Sequence, residues 1–416
     1  MKKIVSYITF FVIETFSMLQ SCQSGIEDSL SLDNYPIVAE RIPLDNGTDS
    51  LIVVDYDKFD FDHPIDFPLS EYCDYEIVKL EGGSKSIMVG AGDVFAQGNY
   101  LVWYDFITQR ILVFDRKGKY ISTINGKDGP GNFEMLCQSV YIDEENEIVY
   151  ANLIRRTKVY DLKTGEFKRS IDQGQTYYLT SIPYKDKLLY LQTPVELLRF
   201  EKAIWIADKE GKVEQYFPAS YFWKMDIVDS TIGDNFWTDA KPVVLDIEKD
   251  YFIYSLFHNL TVQDSTYHYY PATNKLIPSA TQVNYKKKSD SDYYVQEETP
   301  SYYSAIYIER SAKPLPPYGT YKYIVGKRVI VDKKTLKGSA INLCVDQLGM
   351  INIGQDYWTT LHGDFCLNLS PDILLQRIEE RLNKGGLDGD EWLKLRTLYD
   401  SIDDDDNNYV IVGKLK

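Results

Sequence analysis

Apolar and polar residues change places in short runs along this chain, and turn residues bound the runs. Within Asn99–Gly126 there are three: Leu101–Tyr104, Ile111–Phe114 and Tyr120–Ile124. Short runs of β-branched and aromatic residues between Gly, Asp and Asn predict strands. The same order recurs over Asn146–Asp172 and again over Lys187–Phe217. One turn sets the register. Val113-Phe114-Asp115 is followed by Gly118, Val159-Tyr160-Asp161 by Gly165, and Ile206-Ala207-Asp208 by Gly211. The Asp side chain starts such a turn by accepting backbone N–H bonds, and Gly takes the positive-φ position. The three aspartates are 46 and 47 residues apart. Ile330-Val331-Asp332 with Gly338 reads as a later copy, and Tyr269–Lys275 as a degenerate one.

Antiparallel strands repeating at this length make a propeller blade. A β-sandwich would have no reason to space one turn so evenly. The expected fold is all-β: a six-bladed β-propeller of four-stranded antiparallel blades. Six blades leave about 65 residues each, against the ~40–50 of common propellers. The surplus is assigned to two Tyr- and charge-rich insertions, Ser220–Asp250 and Tyr285–Tyr321. A helical segment is expected at about 370–401. Ser370-Pro371 opens a first helix with Ile373, Leu374, Ile378 and Leu382 as its apolar residues, and Gly385-Gly386 stops it. Asp388 with Glu391 predicts a capping box for a second helix through Trp392, Leu395 and Leu398. Asp403–Asp406 reads as a solvated linker rather than a Ca²⁺ site. The last strand, about 409–415, is expected to join the first blade and close the ring, which removes sheet edges.

Residues 1–21 read as a targeting segment. Lys2 and Lys3 precede the mostly apolar Ile4–Ile13, and Leu19-Gln20-Ser21-Cys22 ends it. A small residue before Cys is what lipoprotein signal peptidase requires, so Cys22 would be acylated and become the N-terminus. An ordinary secretory signal and a buried N-terminal helix are the alternatives. On the lipoprotein reading, 22–36 is a linker and 37–416 a single propeller. The run is too short to span a bilayer. The net charge of −17 becomes −18 once Lys2, Lys3 and Glu14 are removed. Such a chain is repelled by nucleic acid and anionic lipid, so the acyl chain supplies membrane attachment. Cys73, Cys137, Cys344 and Cys366 lack metal or redox spacing, leaving a disulfide or buried free thiols.

The Cys22 lipobox, the blade ILVFDRKGKYISTI, Gly129-Pro130-Gly131-Asn132-Phe133 after it and the closing NNYVIVGKLK together resemble the six-bladed β-propeller lipoproteins of the Bacteroidota, an NHL-like group. The resemblance covers most of the mature chain. It departs at Asn132, where that group usually has Glu, and at Asn407-Asn408-Tyr409, where it often has Asn-Pro. It implies the fold and an outer-membrane location, and carries no catalytic residues.

Little in the chain suggests chemistry. His63, His258, His268 and His362 have no metal-ligand spacing, so no metal and no cofactor are expected. Position is more informative. Links between second and third strands share a face with links between blades, and the aspartate turns lie on the other. Asp105–Arg110, Asn152–Arg156 and Gln192–Arg199 are links of the first kind, joined on that face by Asp128–Glu134 and Asp172–Thr176. Arg110 and Arg156 both stand five residues before their turn aspartate. Arginine forks pair with carboxylate or sulfate. The expected ligand-binding residues are therefore Arg110, Arg156 and Arg199, with Asp105, Gln109 and Glu134. The expected function is a membrane-anchored, non-catalytic binding or scaffold propeller for an anionic glycan or protein partner of the cell envelope. The alternative is a polysaccharide lyase or hydrolase.

Overall fold

The computed structural model describes residues 32–45, 47, 49–83, 92–105, 108–126, 129–133, 137, 139–153, 156–172, 179–192, 201–223, 251–255, 266–283, 292–310, 323–354, 358–360, 363–403 and 405–416. The targeting segment, Cys22, Glu134 and Arg199 lie outside them. The first strands make no blade of their own: β1 (Ala39–Pro43), β2 (Ser50–Val54), β3 (Ile65–Pro68) and β4 (Cys73–Lys79). Four-stranded sheets begin after them. The first is β5 (Gly92–Gln97), β6 (Tyr100–Asp105), β7 (Arg110–Asp115) and β8 (Tyr120–Asn125). The second is β9 (Ser139–Asp143), β10 (Ile148–Asn152), β11 (Arg156–Asp161) and β12 (Phe167–Asp172). The third is β13 (Leu179–Tyr184), β14 (Lys187–Gln192), β15 (Lys202–Ala207) and β16 (Val213–Pro218). The three expected copies are therefore the outer three strands of sheets one to three.

The fourth sheet holds β17 (Phe252–Ser255), β18 (Thr266–Tyr270) and β19 (Lys275–Gln282). The fifth holds β20 (Asp292–Glu298), β21 (Tyr302–Arg310), β22 (Tyr323–Asp332), β23 (Gly338–Val345) and the short β24 (Ile351–Asn352). The sixth holds β25 (Trp358–Thr359), β26 (Asp364–Leu369) and β27 (Tyr409–Leu415). The fold is thus a six-bladed β-propeller, with two departures from expectation. Tyr285–Tyr321 is not an insertion, because β20 and β21 both lie within it. The last strand does not join the first blade. β27 is the third strand of the sixth sheet, and β4 is that sheet's outer strand.

The N-terminal segment is an arm along the outer edges of three sheets. β2 pairs in parallel with β19, β3 pairs in parallel with β23, and β4 pairs antiparallel with β27. The sheets are therefore antiparallel within themselves and parallel only where the arm is added. Covering an edge strand satisfies backbone groups that would otherwise invite association.

The aspartate turns form as their residues require. Asp115 Oδ1 accepts from the N–H groups of Lys117 and Lys119, both at 2.9 Å, and Asp161 Oδ1 from Lys163 and Thr164 at 3.0 Å. Asp208 and Asp332 do the same. Gly118, Gly165 and Gly211 have φ of 82°, 72° and 93°. Two copies solve the turn differently. Asn274 carries the positive φ in the fourth sheet, and Leu336, not Gly338, in the fifth. Space matters as well as φ. A Cβ on Gly165 would overlap the Thr123 carbonyl of the first sheet, so each turn sits tightly on its predecessor's outer strand.

Apolar side chains meet at the seams. Six multi-residue clusters of buried side chains are described, one for each pair of neighbouring sheets. The cluster of Val78, Val412, Leu101 and Trp103 joins the sixth sheet to the first and closes the ring. At roughly 1.5–3 kcal/mol for each large buried side chain, these seams dominate the stability. An ionic contact reinforces the closure. Asp364, fully buried, accepts from Arg116 of the first sheet and Lys414 of its own, each at 2.8 Å.

The helices occupy Pro371–Lys384 and Gly389–Ser401, between β26 and β27. Asp388 and Glu391 make the expected capping box. Leu374, Ile378 and Leu395 are buried against the fifth and sixth sheets, whereas Ile373 and Trp392 face solvent. Asp406 of the acidic run ties β4 to β27, pairing with Lys79 at 2.6 Å and accepting from Tyr409 Oη at 2.9 Å.

Candidate functional site

Two of the three expected arginines, Arg110 and Arg156, are among the described residues. Arg110 opens β7 opposite Asn125, and Arg156 opens β11 opposite Asp172. They are the same position of two adjacent sheets, on the face away from the aspartate turns. Arg110 is half-buried. Its Nε donates to Thr108 Oγ1 at 3.0 Å, and its Nη2 lies 4.0 Å from Asp105 Oδ2. Asp105 is fully buried and shapes the turn, accepting from the Thr108 N–H at 3.0 Å and from its hydroxyl. Gln109 has φ of 53°, and its carbonyl accepts from Gly126 N–H at 2.8 Å. The link thus holds Arg110 in one place, while Arg156 is exposed.

The neighbouring inter-sheet link is equally fixed. Lys158, almost wholly buried, donates to the Pro130 carbonyl at 3.3 Å and to that of Asn132, and Tyr160 Oη donates to the Gly131 carbonyl. A Cβ on Gly131 would crowd Tyr160 and Phe167, so Gly is required there. This link is a clamped turn rather than a phosphate cradle.

A second cluster lies at the seam of sheets four and five, on the aspartate-turn face. Glu298 is 1% exposed and takes His268 Nε2 at 3.0 Å, Lys333 Nζ at 2.6 Å and Ser279 Oγ at 3.0 Å. Thr266 Oγ1 is 2.7 Å from Ser279 Oγ. Burial pushes the Glu298 carboxyl up, but the hydrogen bond and charge of His268, then those of Lys333, outweigh it and hold it at about 2. Glu298 is therefore ionised and too weak a base to take a proton near neutrality. The imidazole Nε2 faces this carboxylate and not the Ser279 hydroxyl, so the group has no nucleophile–base pair. Next along β20, burial pushes the Glu297 carboxyl up, against the opposing charge of Arg328.

Sequence spacing missed this cluster, although one signal was present. A cation follows the turn aspartate at Arg116, Lys209 and Lys333. Each reaches a buried carboxylate: Asp364, Asp143 and Glu298. Among the described residues, no three His, Cys, Asp or Glu are arranged to hold a metal, and no helix is long and apolar enough to cross a membrane. Cys73, Cys137, Cys344 and Cys366 are buried free thiols, pushed up by burial, Cys137 and Cys344 to about 12.

No curated protein matches the chain. Among solved structures it is similar to the Bacteroides fragilis NCTC 9343 protein BF0058, described as exported, with TM-score 0.51 and 15% identity over 85% of this chain and 98% of that one. A DUF4221 family member from Bacteroides vulgatus ATCC 8482 aligns over 83% of this chain and 98% of its own, with 9% identity and TM-score 0.45. BamB from Moraxella catarrhalis aligns over 64% and 73%, with 9% identity and TM-score 0.33. At these identities the likeness concerns the fold alone. The DUF5128 family, described as a 6-bladed beta-propeller, matches residues 45–315, and the chain belongs to it.

Proposed function

We propose that this protein is a lipid-anchored binding or scaffold propeller of the cell envelope, attached to the outer membrane through Cys22 and related to the NHL-like propeller lipoproteins. Its ligand is an anionic glycan or a protein partner bound by Arg110 and Arg156 with Gln109, and Arg199 and Glu134 are the further residues proposed to contribute. The observation that carries this reading is the equivalence of Arg110 and Arg156. Two guanidinium groups recur at one position of adjacent sheets, one held by its own turn, in a chain of net charge −17. Held donors bind with less entropic loss than mobile ones. A lyase or hydrolase has no comparable support, because Glu298, His268 and Ser279 are committed to one another.

Two experiments test it. Palmitate fed to the native host should label the wild type and not Cys22→Ser; an unlabelled wild type would refute the anchor. On a glycan array, Arg110→Ala with Arg156→Ala should weaken anionic-glycan binding strongly, since each charge-assisted bond contributes about 1.5–3 kcal/mol. Unchanged binding by the double variant would place the ligand elsewhere.

A further inference from the structure

Four half-buried aromatic rings gather around Glu298 at the seam of sheets four and five. Tyr251 stacks on His268 with centroids 4.2 Å apart, and Tyr270 meets them at 5.5 and 6.4 Å. Lys333 Nζ lies 4.9 Å above the Tyr303 ring. The arm adds a second cation. Arg41, on β1, is exposed and donates to the Lys333 carbonyl at 3.1 Å and to Ser50 Oγ at 3.2 Å.

The two cations differ. Lys333 is neutralised by Glu298 at 2.6 Å. Arg41 is pinned by two neutral acceptors and makes no ion pair among the described residues. An exposed guanidinium in fixed geometry, close enough to Tyr303 for its charge to act on that ring's hydroxyl, is equipped to take an external anion. The rings suggest what carries that anion. Aromatic faces offer rigid apolar contact, and the Tyr hydroxyls offer polar contact at the rim. A pyranose ring has the same two characters, apolar C–H faces and a polar edge.

We propose that this seam is a binding site for an acidic saccharide: the sugar ring packs on Tyr251 and Tyr270, and its carboxylate or sulfate pairs with Arg41. Glu298 positions His268 and Lys333 beneath and does not touch the ligand. The site needs the arm as well as the ring, because the arm supplies Arg41 while the fourth sheet's segment supplies Tyr251 and Tyr270. It rests on the reading that the chain binds anionic glycans, and it adds a second location on the opposite face.

The test is calorimetric titration of the full chain with oligogalacturonate and with chondroitin sulfate oligosaccharides, using maltohexaose as the uncharged comparator. The expected result is saturable binding of an acidic oligosaccharide, weakened at least about tenfold by Arg41→Ala and by Tyr270→Ala. Maltohexaose should bind more weakly than either acidic oligosaccharide. Arg41 is exposed, so its replacement decides the matter even where a tyrosine variant fails to fold. Unchanged affinity in Arg41→Ala would overturn the seam. If the Arg110 and Arg156 double variant alone lost binding, the seam would fall while the proposed function stood. No binding of either acidic oligosaccharide by the wild type would overturn the seam outright.

Discussion

A chain begun at Leu80 is expected to lose its cooperative folded state. Such a chain lacks the arm, and the arm is part of the ring. All of β4 is in register with β27, from Tyr409↔Lys79 to Leu415↔Cys73. Around it, Leu80 N–H donates to the Asn408 carbonyl and Lys416 N–H to the Tyr72 carbonyl, both at 3.0 Å. Val54, Tyr56, Phe59, Phe67, Leu69, Tyr72, Cys73 and Val78 are buried side chains of the deleted segment. At roughly 1.5–3 kcal/mol for a large one, their loss matches or exceeds the ~5–15 kcal/mol net stability of a typical domain. The deletion also uncovers the edges of β19, β23 and β27, which favours association. Thermal unfolding followed by circular dichroism should show no sharp transition, and size-exclusion chromatography should show aggregate. A monomer melting sharply near the full-length temperature would mean that six sheets close without the arm.

The parts of the fold that repeat locally are legible in the sequence, and the parts made by distant pairing are not. Sheets one to three announce themselves because Asp115, Asp161 and Asp208 each sit between an apolar run and a glycine. The inner strands of sheet five are hidden because Tyr293, Tyr294, Tyr302 and Tyr303 lie in a Tyr- and charge-rich stretch that carries no Asp…Gly turn and so reads as an insertion. The arm is harder still. Parallel pairs such as Ile52↔Ala280 and Phe67↔Leu343 leave no short-range pattern. The closing strand lies at the expected residues, but its outer neighbour is β4 and not a strand of the first sheet, because that pairing too joins distant segments. Sites divide in the same way. Counting back from the turn aspartates finds Arg110 and Arg156. Arg41, His268, Glu298 and Lys333 come from four separate segments, and only the cation after the turn aspartate hints at their meeting.

Glu298 and Glu297 are expected to affect stability in opposite directions. For Glu298, the folded carboxyl lies at about 2 against an ordinary 4.5. A depressed carboxyl stabilises the fold above its unfolded value, and the contribution disappears as pH falls from about 4.5 to about 2. The gap corresponds to about 3 kcal/mol at neutral pH. Glu298→Gln should therefore be destabilised by about that amount near neutrality, and the deficit should shrink steadily in acid. Glu297 has its carboxyl raised by burial, with the Arg328 charge only partly offsetting this. Its ionised form therefore costs stability above the ordinary carboxylate range, so Glu297→Gln should be the more stable protein at neutral pH and match the wild type in acid. Denaturant melts of the three proteins at about pH 7, 4.5 and 3 separate the cases. A Glu298→Gln protein as stable as wild type at neutral pH would show that His268 and Lys333 do not depend on that carboxylate. A Glu297→Gln protein destabilised at neutral pH would show that Arg328, and not burial, dominates at its neighbour. Adjacent residues on one strand point to opposite seams, so a single pair of conservative substitutions reports on the electrostatics of both.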